Sequence, residues 1–426
     1  GILNGERIPD EWKKSHVCLI PKEDQEAMQP DTYRPITLLS CVAKLLEAVV
    51  FSMIKTQILS SKPDVIHWLQ GGFKEGRSAI DQSWLLRTVL DSQEAKRRDT
   101  FVCFLDLRKA YDTVPLSALL VRLIQEKFPF WFVRYIEDWT SGHCRTLRMK
   151  DNHCELPVLR GVPQGSILAP LLFNVFIDLL IRRLEGSGVY MGEEWMGALL
   201  YADDIALISD SALEMQEMID RCTNWADDFG MCFSSVKSKW MFIPAKRIRR
   251  GQQDGGENVD ITLKNESLRR TQGFPYLGVM VTTQKPRWSK IDNSSRFQLC
   301  EKGFKKVERL FHPGYGLPIW VGRIVAQGIF WPRMWYGMDL GIPFHKAAKE
   351  GDRFLNMTAR AVLGTFECTR STSMLKFLGW PDFERMCDIR ILLHFLRLAY
   401  HVHEIFKRIL LQVVSVDVER DGSRWW

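Results

Sequence analysis

The chain has 426 residues, of which 46% are hydrophobic, which is enough for a large core divided into two or three subdomains. A net charge of +7 fits a polyanionic partner without demanding one. Ten scattered cysteines with no Cys-x-x-Cys exclude a disulfide scaffold and a zinc ribbon, and they point to reduced thiols in an intracellular compartment.

The first 40 residues start irregularly, with a short strand over 17–20 stopped by Pro21. After a polar loop comes Tyr33-Arg-Pro-Ile36, where Arg34 precedes a proline and so takes extended backbone. By position alone Lys22 and Arg34 read as a solvated basic surface. A helix is expected over 41–59. Gln70-Gly-Gly-Phe-Lys-Glu-Gly-Arg-Ser78 is a glycine-rich turn into a second helix, running to about residue 98, with Ser78 a candidate N-cap. Its glycines allow backbone to approach a partner closely. Lys74 and Arg77 add charge, but the Walker-type ending of a phosphate cradle is missing.

Phe101-Val-Cys-Phe-Leu-Asp106 is an almost wholly apolar strand that ends in one carboxylate. A buried strand rarely carries Asp without a partner or a metal. Tyr111 follows in the turn that starts the next helix, and Asp112 reads as a local backbone cap. His143-Cys144 and His153-Cys154 form a repeat, but without a second close pair it reads as coincidence. Gly161-Val-Pro-Gln-Gly-Ser166 is a tight loop feeding a long apolar helix that closes near Gly186 and Gly188. Gln164 and Gly165 offer an amide and an uncovered backbone to a planar base or template. Taken alone, the segment is an ordinary helix-start loop. Residues 167–181 form the longest apolar run, broken by Pro170, Asn174 and Asp178, so no membrane span is expected.

Residues 198–209 organise the rest. Two apolar runs flank Asp203-Asp204, which predicts a tight hairpin with both carboxylates at its tip. Adjacent anions repel unless a cation sits between them, and hard oxygen ligands suit Mg2+. A helix over 211–230, a strand entered from 233, a hairpin over 261–268 and the segment Tyr276-Leu-Gly278 follow. Beyond about residue 285 the pattern turns helical, over 287–311, 318–338, 344–363 and 384–410. Asp106 and Asp203-Asp204 on apolar strand ends form the minimum set for two-metal phosphoryl transfer.

This order of motifs resembles the reverse transcriptases of non-LTR (LINE-type) retrotransposons. The resemblance runs through Ile-Pro-Lys22, Tyr-Arg-Pro-Ile36, Gly-Phe-Lys-Glu-Gly-Arg-Ser78, Phe-Leu-Asp-Leu-Arg-Lys-Ala-Tyr-Asp112, Gly-Val-Pro-Gln-Gly-Ser-Ile-Leu-Ala-Pro170, Tyr-Ala-Asp-Asp204 and Tyr-Leu-Gly278. Trp-Tyr-Gly337, Leu-Gly364 and Phe-Leu-Gly-Trp380 look more like the jockey-type branches.

The resemblance implies an α/β (α+β) right-hand polymerase. Fingers with the start of the palm would span 1–100. The palm, an antiparallel sheet plus helices with inserted fingers segments, would span 101–285. A helical thumb and C-terminal region would span 286–426. The implied activity is RNA-directed DNA polymerisation, extending a primer 3′-OH with dNTPs. Asp106, Asp203 and Asp204 would be catalytic, with Asp106 and Asp203 the direct ligands of Mg2+, and Mn2+ is the alternative ion. Lys237 would protonate pyrophosphate. Lys22 and Arg34 would hold the triphosphate, Tyr111 would exclude a ribose 2′-OH, and Gln164 and Gly165 would line the nucleotide and template pocket. Tyr276, Leu277 and Gly278 would form the primer grip. The thumb would clasp an A-form-like hybrid through its backbone and 2′-hydroxyls. Partners would be an RNA template, a DNA primer and dNTPs, with no membrane and no zinc. The setting would be a ribonucleoprotein in the nucleus or cytoplasm.

The sequence departs from the family pattern in places. The usual Asn-x-x-Lys-Thr reads Ser234-Ser-Val-Lys-Ser238, so Lys237 and Lys239 both stand as candidate acids. The chain opens on Gly1, as a fragment or processed product would. It carries no endonuclease, zinc-knuckle or RNase H signature, so self-contained target-primed integration is not expected of it. Two rival readings remain. An RNA-dependent RNA polymerase usually has Gly-Asp-Asp at the hairpin and a polar residue where Tyr111 stands. A truncated or domesticated relic would bind nucleic acid or protein without polymerising, although here all the carboxylates are intact.

Overall fold

The computed structural model describes residues 2, 5–21, 33–149, 152–245, 256, 259–283, 290–291, 294–311, 316–343, 345–401 and 404–420. Lys22 lies outside them. The chain divides into two compact units, Gly1–Ser78 with Arg97–Thr271, and Ala79–Lys96 with Gln272–Trp426.

Two sheets build the first unit. Strands β1 (Lys14–Pro21), β2 (Tyr33–Leu39), β4 (Cys144–Met149) and β5 (Asn152–Pro157) pair in the order β2-β1-β4-β5, with β1 and β4 parallel. Pro35 has no N–H to give a ladder, and β2 tolerates it because it is an edge strand. Helix α1 (Cys41–Ile54) follows, burying Ala43, Glu47, Val50 and Ile54 at the three- and four-residue spacing of one helical face. It continues as a wider turn over Lys55–Leu59, so the expected span of 41–59 holds.

The second sheet is the palm-type one. Its central strand β3 (Thr100–Asp106) is buried from Thr100 to Leu105, as a continuous apolar run requires. It lies between β8 (Lys239–Ile243) and the hairpin β6 (Ala198–Tyr201) and β7 (Asp204–Ser209). The two-residue strand β9 (Arg269–Arg270) adds in parallel beyond β8, while all other pairings in this sheet are antiparallel. Helices α2 (Ala169–Leu184) and α3 (Ala212–Asp228) belong to the same unit, and Phe176 of one meets Trp225 of the other at 5.5 Å. Ser211 caps α3 by accepting from the Glu214 amide.

The second unit is mainly helical. It holds the helix Ala79–Ala95, the hairpin Gly273–Tyr276 with Val279–Thr282, and the helices Ser294–Val307, Ile319–Val325, His345–Leu363, Ser371–Leu378, Phe383–His401 and Glu404–Arg420. Phe297, Phe304, Phe330, Trp335, Phe354 and Phe383 form the centre of its core. Within this unit Arg397 bonds the fully buried Asp81 through both guanidinium nitrogens, which anchors the helix Ala79–Ala95.

The helix expected over 318–338 is interrupted. Ile319–Val325 passes through a π-helical turn, Ala326–Phe330, before Trp331–Trp335 resumes. Pro332 cannot donate to the turn before it and its ring crowds the carbonyl four residues back, so the backbone widens there. Within the span 384–410 the described residues are helical over Phe383–His401 and from Glu404, in Glu404–Arg420, and Ser371–Leu378 is a helix with no sequence-level expectation behind it. The mixed α/β architecture with a palm-type sheet agrees with the fold class expected. Among the described residues no helix is long and apolar enough to cross a membrane. All ten cysteines are free.

Candidate active site

The apolar character of β3 and β7 brings carboxylates together. In the antiparallel register of these strands Asp106 stands opposite Asp204, and Asp204 also pairs with Tyr201 across the hairpin. The turn is therefore Ala202-Asp203 alone. Asp203 occupies the tip and Asp204 begins the returning strand, one position earlier than the sequence pattern suggested.

Both hairpin carboxyls hold their protons more tightly than usual. Burial is the largest cause at Asp203, and the charge of Asp106 adds to it. Asp204 is pushed up to about 6 by burial and then by the charges of Asp203 and Asp106, although the rest of its side chain reaches solvent. Two hard oxygen donors whose proton affinity is raised, facing a third carboxylate, Asp106, are a donor set suited to a divalent cation such as Mg2+. Among the described residues, no three His, Cys, Asp or Glu side chains are already drawn together closely enough to hold a metal ion. The chemistry of the donors fits the group, and its arrival would have to draw them in.

The segment after α3 wraps Asp106. The Ser234 amide donates to the Asp106 carbonyl at 2.8 Å, and the Asp106 amide donates to Ser238 Oγ at 3.1 Å. Ser234 Oγ accepts from the Lys237 amide at 3.4 Å, closing the turn that carries Lys237. Lys237 Nζ then lies 3.4 Å from Asp106 Oδ2. Lys239 is within β8, opposite Phe104.

Tyr111 sits in the short helix Ala110–Thr113, which follows Lys109 in left-handed backbone at φ +47°. Its ring stacks on Phe173 with centroids 4.6 Å apart and meets the edge of Phe73 at 6.5 Å. Its hydroxyl is buried without a hydrogen-bond partner. Burial, and then the charge of Asp203, make that hydroxyl harder to ionise. The ring, not the hydroxyl, is what this packing holds in place.

Asp112 is not a local backbone cap. Arg145 Nη1 donates to it at 3.1 Å and Gln164 Nε2 at 3.2 Å, because β4 and the Pro-Gln-Gly loop both close over its turn. The Gln164 carbonyl accepts from the Thr37 amide at 2.8 Å. Gly165 has φ +128°, and a Cβ there would come within 2.3 Å of the Thr37 carbonyl oxygen, so only glycine fits. Arg34 is exposed on β2, three residues before Thr37, and no ion pair joins it to the acidic cluster among the described residues. Tyr276, Leu277 and Gly278 lie in the second unit. Leu277 and Gly278 turn the hairpin at φ +47° and +76°, and Tyr336 Oη donates to the Leu277 carbonyl at 2.6 Å.

The glycine-rich turn uses its freedom inward. A Cβ on Gly72 would stand 2.3 Å from the Ala202 amide nitrogen, so the close approach is to the hairpin itself. Lys74 Nζ donates to the Ile66 carbonyl at 3.0 Å and Arg77 Nη1 to that of Trp68 at 2.8 Å. Burial lowers Lys74 to about 8. These cations brace the turn, which weighs against a phosphate cradle.

Several buried polar groups at this site had no sequence signal. Glu47 of α1 is fully buried and accepts from Ser166 Oγ at 3.0 Å and from the Ile167 amide at 2.7 Å. Burial pushes its carboxyl up to about 7. Arg145, in an unremarked strand, holds Asp112. In each case the partner is distant in the chain, so spacing could not reveal it.

The family model described as reverse transcriptase (RNA-dependent DNA polymerase) matches residues 20–281. The Retrovirus-related Pol polyprotein from type-1 retrotransposable element R2 of Popillia japonica is 29% identical over 377 residues, covering 85% of this chain and 49% of that protein. The corresponding R2 polyprotein of Nasonia vitripennis is 24% identical over 370 residues, covering 85% of this chain and 34% of that protein. The RNA-directed DNA polymerase from mobile element jockey of Drosophila funebris is 24% identical over 422 residues, covering 96% of this chain and 42% of that protein. The chain thus spans between about a third and a half of the length of these relatives, which include both R2 and jockey elements. The matched span contains the strand-end carboxylates, Tyr111, the Pro-Gln-Gly loop and Lys237, and the chain belongs to the reverse transcriptase family, of the kind found in non-LTR retrotransposons.

Proposed function

We propose that this chain is the polymerase core of a retrotransposon enzyme, extending a DNA primer 3′-OH with dNTPs on an RNA template. One observation carries the reading. Asp106 and Asp204 share a register position, Asp203 tips the hairpin, and Lys237 closes on Asp106 at 3.4 Å. In this reading residues 1–100 serve as fingers with the start of the palm, 101–285 as palm and 286–426 as thumb. Operation within a ribonucleoprotein in the nucleus or cytoplasm goes with it.

Asp106 and Asp203 would hold Mg2+ directly, with Asp204 adding charge close by. Mn2+ shares the preference for hard oxygen and would substitute. When bound, the ion supplies activation of the primer oxygen and neutralisation of charge on the departing pyrophosphate. The chain's own residues do the rest. Tyr111, locked on Phe173, sets the floor beneath the incoming sugar and leaves no room for a 2′-hydroxyl. Lys237 carries the proton for the pyrophosphate oxygen. Gln164, fixed at both its amide and its carbonyl, and Gly165 line the pocket for the base pair being formed. Lys22 and Arg34 would hold the triphosphate, and Tyr276, Leu277 and Gly278 would form the primer grip.

Primer extension by the purified protein tests this, with an RNA template, a DNA primer, dNTPs and Mg2+. Templated DNA synthesis that stops on chelation is expected. Binding of primer–template without extension in either Mg2+ or Mn2+ supports the relic reading instead.

A further inference from the structure

The turn residue ahead of Asp203 is strained. Ala202 has φ +54°, a left-handed conformation that a residue with a Cβ adopts at a cost of about 1–3 kcal/mol unless its surroundings hold it there. Neither Asn nor Gly occupies the position, so the hairpin does not stabilise this turn by its own sequence.

What holds it comes from 132 residues earlier in the chain. Residues 69–71 run alongside β6, with Gln70 and Leu200 in a parallel bridge. The Gly71 amide donates to the Leu200 carbonyl at 2.8 Å, and the Leu200 amide donates to that of Leu69 at 3.1 Å. The Gln70 side chain, fully buried, then reaches the tip. Its Oε1 accepts from the Ala202 amide at 2.8 Å and from the Gly72 amide at 2.8 Å. Its Nε2 donates to the Ala202 carbonyl at 3.2 Å. Both main-chain groups of the strained residue are thus taken by one amide. Only this orientation of the amide satisfies two N–H donors and one carbonyl at once. Gly72 packs against the Ala202 nitrogen too closely to admit a Cβ, and Asn174 of α2 donates to the Gly72 carbonyl at 2.7 Å. The clamp is itself anchored to α2.

We propose that Gln70 is a positioning residue for Asp203, clamping Ala202 through its amide and carbonyl so that the carboxylate at the hairpin tip is aimed before substrate arrives. This rests on the polymerase reading above. An amide, and no other side-chain head group of that length, meets the requirement. An ionised carboxylate lacks the donor for the Ala202 carbonyl, and a thioether has no donor and is only a weak acceptor.

The test compares the parent with Gln70→Leu and Gln70→Met, all below their melting temperatures. It reads single-nucleotide extension and amide hydrogen exchange of peptides covering 198–209. Loss of aim should lower kcat by about a hundredfold, with the KM for dNTP and the primer–template Kd changed by no more than about threefold. Exchange should speed up at the hairpin tip and at Gly72 while the rest of the unit keeps its protection. Variants that keep the parental kcat once corrected for folded fraction, or that exchange faster everywhere alike, overturn the proposal. If the parent itself extends no primer, the polymerase reading fails. Hydrogen exchange then still judges the clamp, since unchanged protection at the tip in both variants would dismiss it.

Discussion

Lys237 reaches Asp106 while its neighbour Lys239 does not: Lys237 Nζ lies 3.4 Å from Asp106 Oδ2, and Lys239 is committed to β8 opposite Phe104. Both members of the pair are well exposed, so the contact contributes little to stability, at most about 1 kcal/mol. In the polymerase reading its value would be in delivering an ammonium to the acidic cluster. Lys237→Ala should lower kcat about a hundredfold, as loss of a general acid does, and leave the melting temperature nearly unchanged. Lys239→Ala should leave kcat within a few-fold. The opposite ranking in single-turnover extension would move the acid to Lys239.

Tyr111 offers a separation of ring from hydroxyl. The hydroxyl is buried without a partner, so Tyr111→Phe should be neutral or stabilise the protein by up to about 1 kcal/mol. It should also keep discrimination against ribonucleotides. Tyr111→Val removes the surface stacked on Phe173 and should admit ribonucleotides while dNTP use stays largely intact. Unchanged sugar discrimination in Tyr111→Val would take the gate away from this residue.

Glu47 makes a prediction about pH. Its carboxyl titrates at about 7 in the folded protein against an ordinary 4.5, so folding favours the protonated form. That stabilisation is complete below 4.5 and is lost as pH rises towards 7. Glu47→Gln keeps an acceptor for the Ile167 amide and never ionises. Relative to the parent, it should gain on the order of 3 kcal/mol between pH 4.5 and pH 8. Denaturant melts at both ends of that range measure the difference, and parallel curves for the two proteins would rule out a strained Glu47.

Gly165→Ala should be costly because the new Cβ meets the Thr37 carbonyl, a backbone atom that cannot swing away. A loss of about 1–3 kcal/mol is expected from overpacking, together with left-handed strain. Gly142→Ala, also at positive φ but with open space around it, should cost only about 1 kcal/mol. Equal losses at the two sites would mean that the Pro-Gln-Gly loop yields rather than pressing on β2.

Strand β3 and the hairpin were legible in the sequence because each is a nearly unbroken apolar run ending in carboxylate, a pattern with few alternatives. The positions of Asp106, Tyr111 and the Pro-Gln-Gly loop followed from it. The groups that hold those residues in place were not legible. Glu47 with Ser166, Arg145 with Asp112 and Gln70 with Ala202 are pairs between distant segments, and local periodicity is silent about them. The glycines of the turn at 70–78 were correctly read as permitting close approach, but nothing local says that the partner is the hairpin. Asp112 reads as a cap in the sequence because its short-range options are visible there and Arg145 is not. Apolar spacing continues across Pro332 and predicts one regular helix over 318–338, although hydrogen bonding cannot continue there.

The account stands most directly on Asp203. Its proton affinity is raised by burial and by Asp106, so its ionised form destabilises the metal-free fold. The decisive measurement is Asp203→Asn against the parent, with thermal melts in chelator and primer extension in Mg2+. The account predicts a melting temperature equal to or above the parent's, together with an extension rate lower by several orders of magnitude. A variant that melts earlier in chelator yet extends primers at close to the parental rate would contradict it, and would make the Asp-Asp hairpin a structural turn.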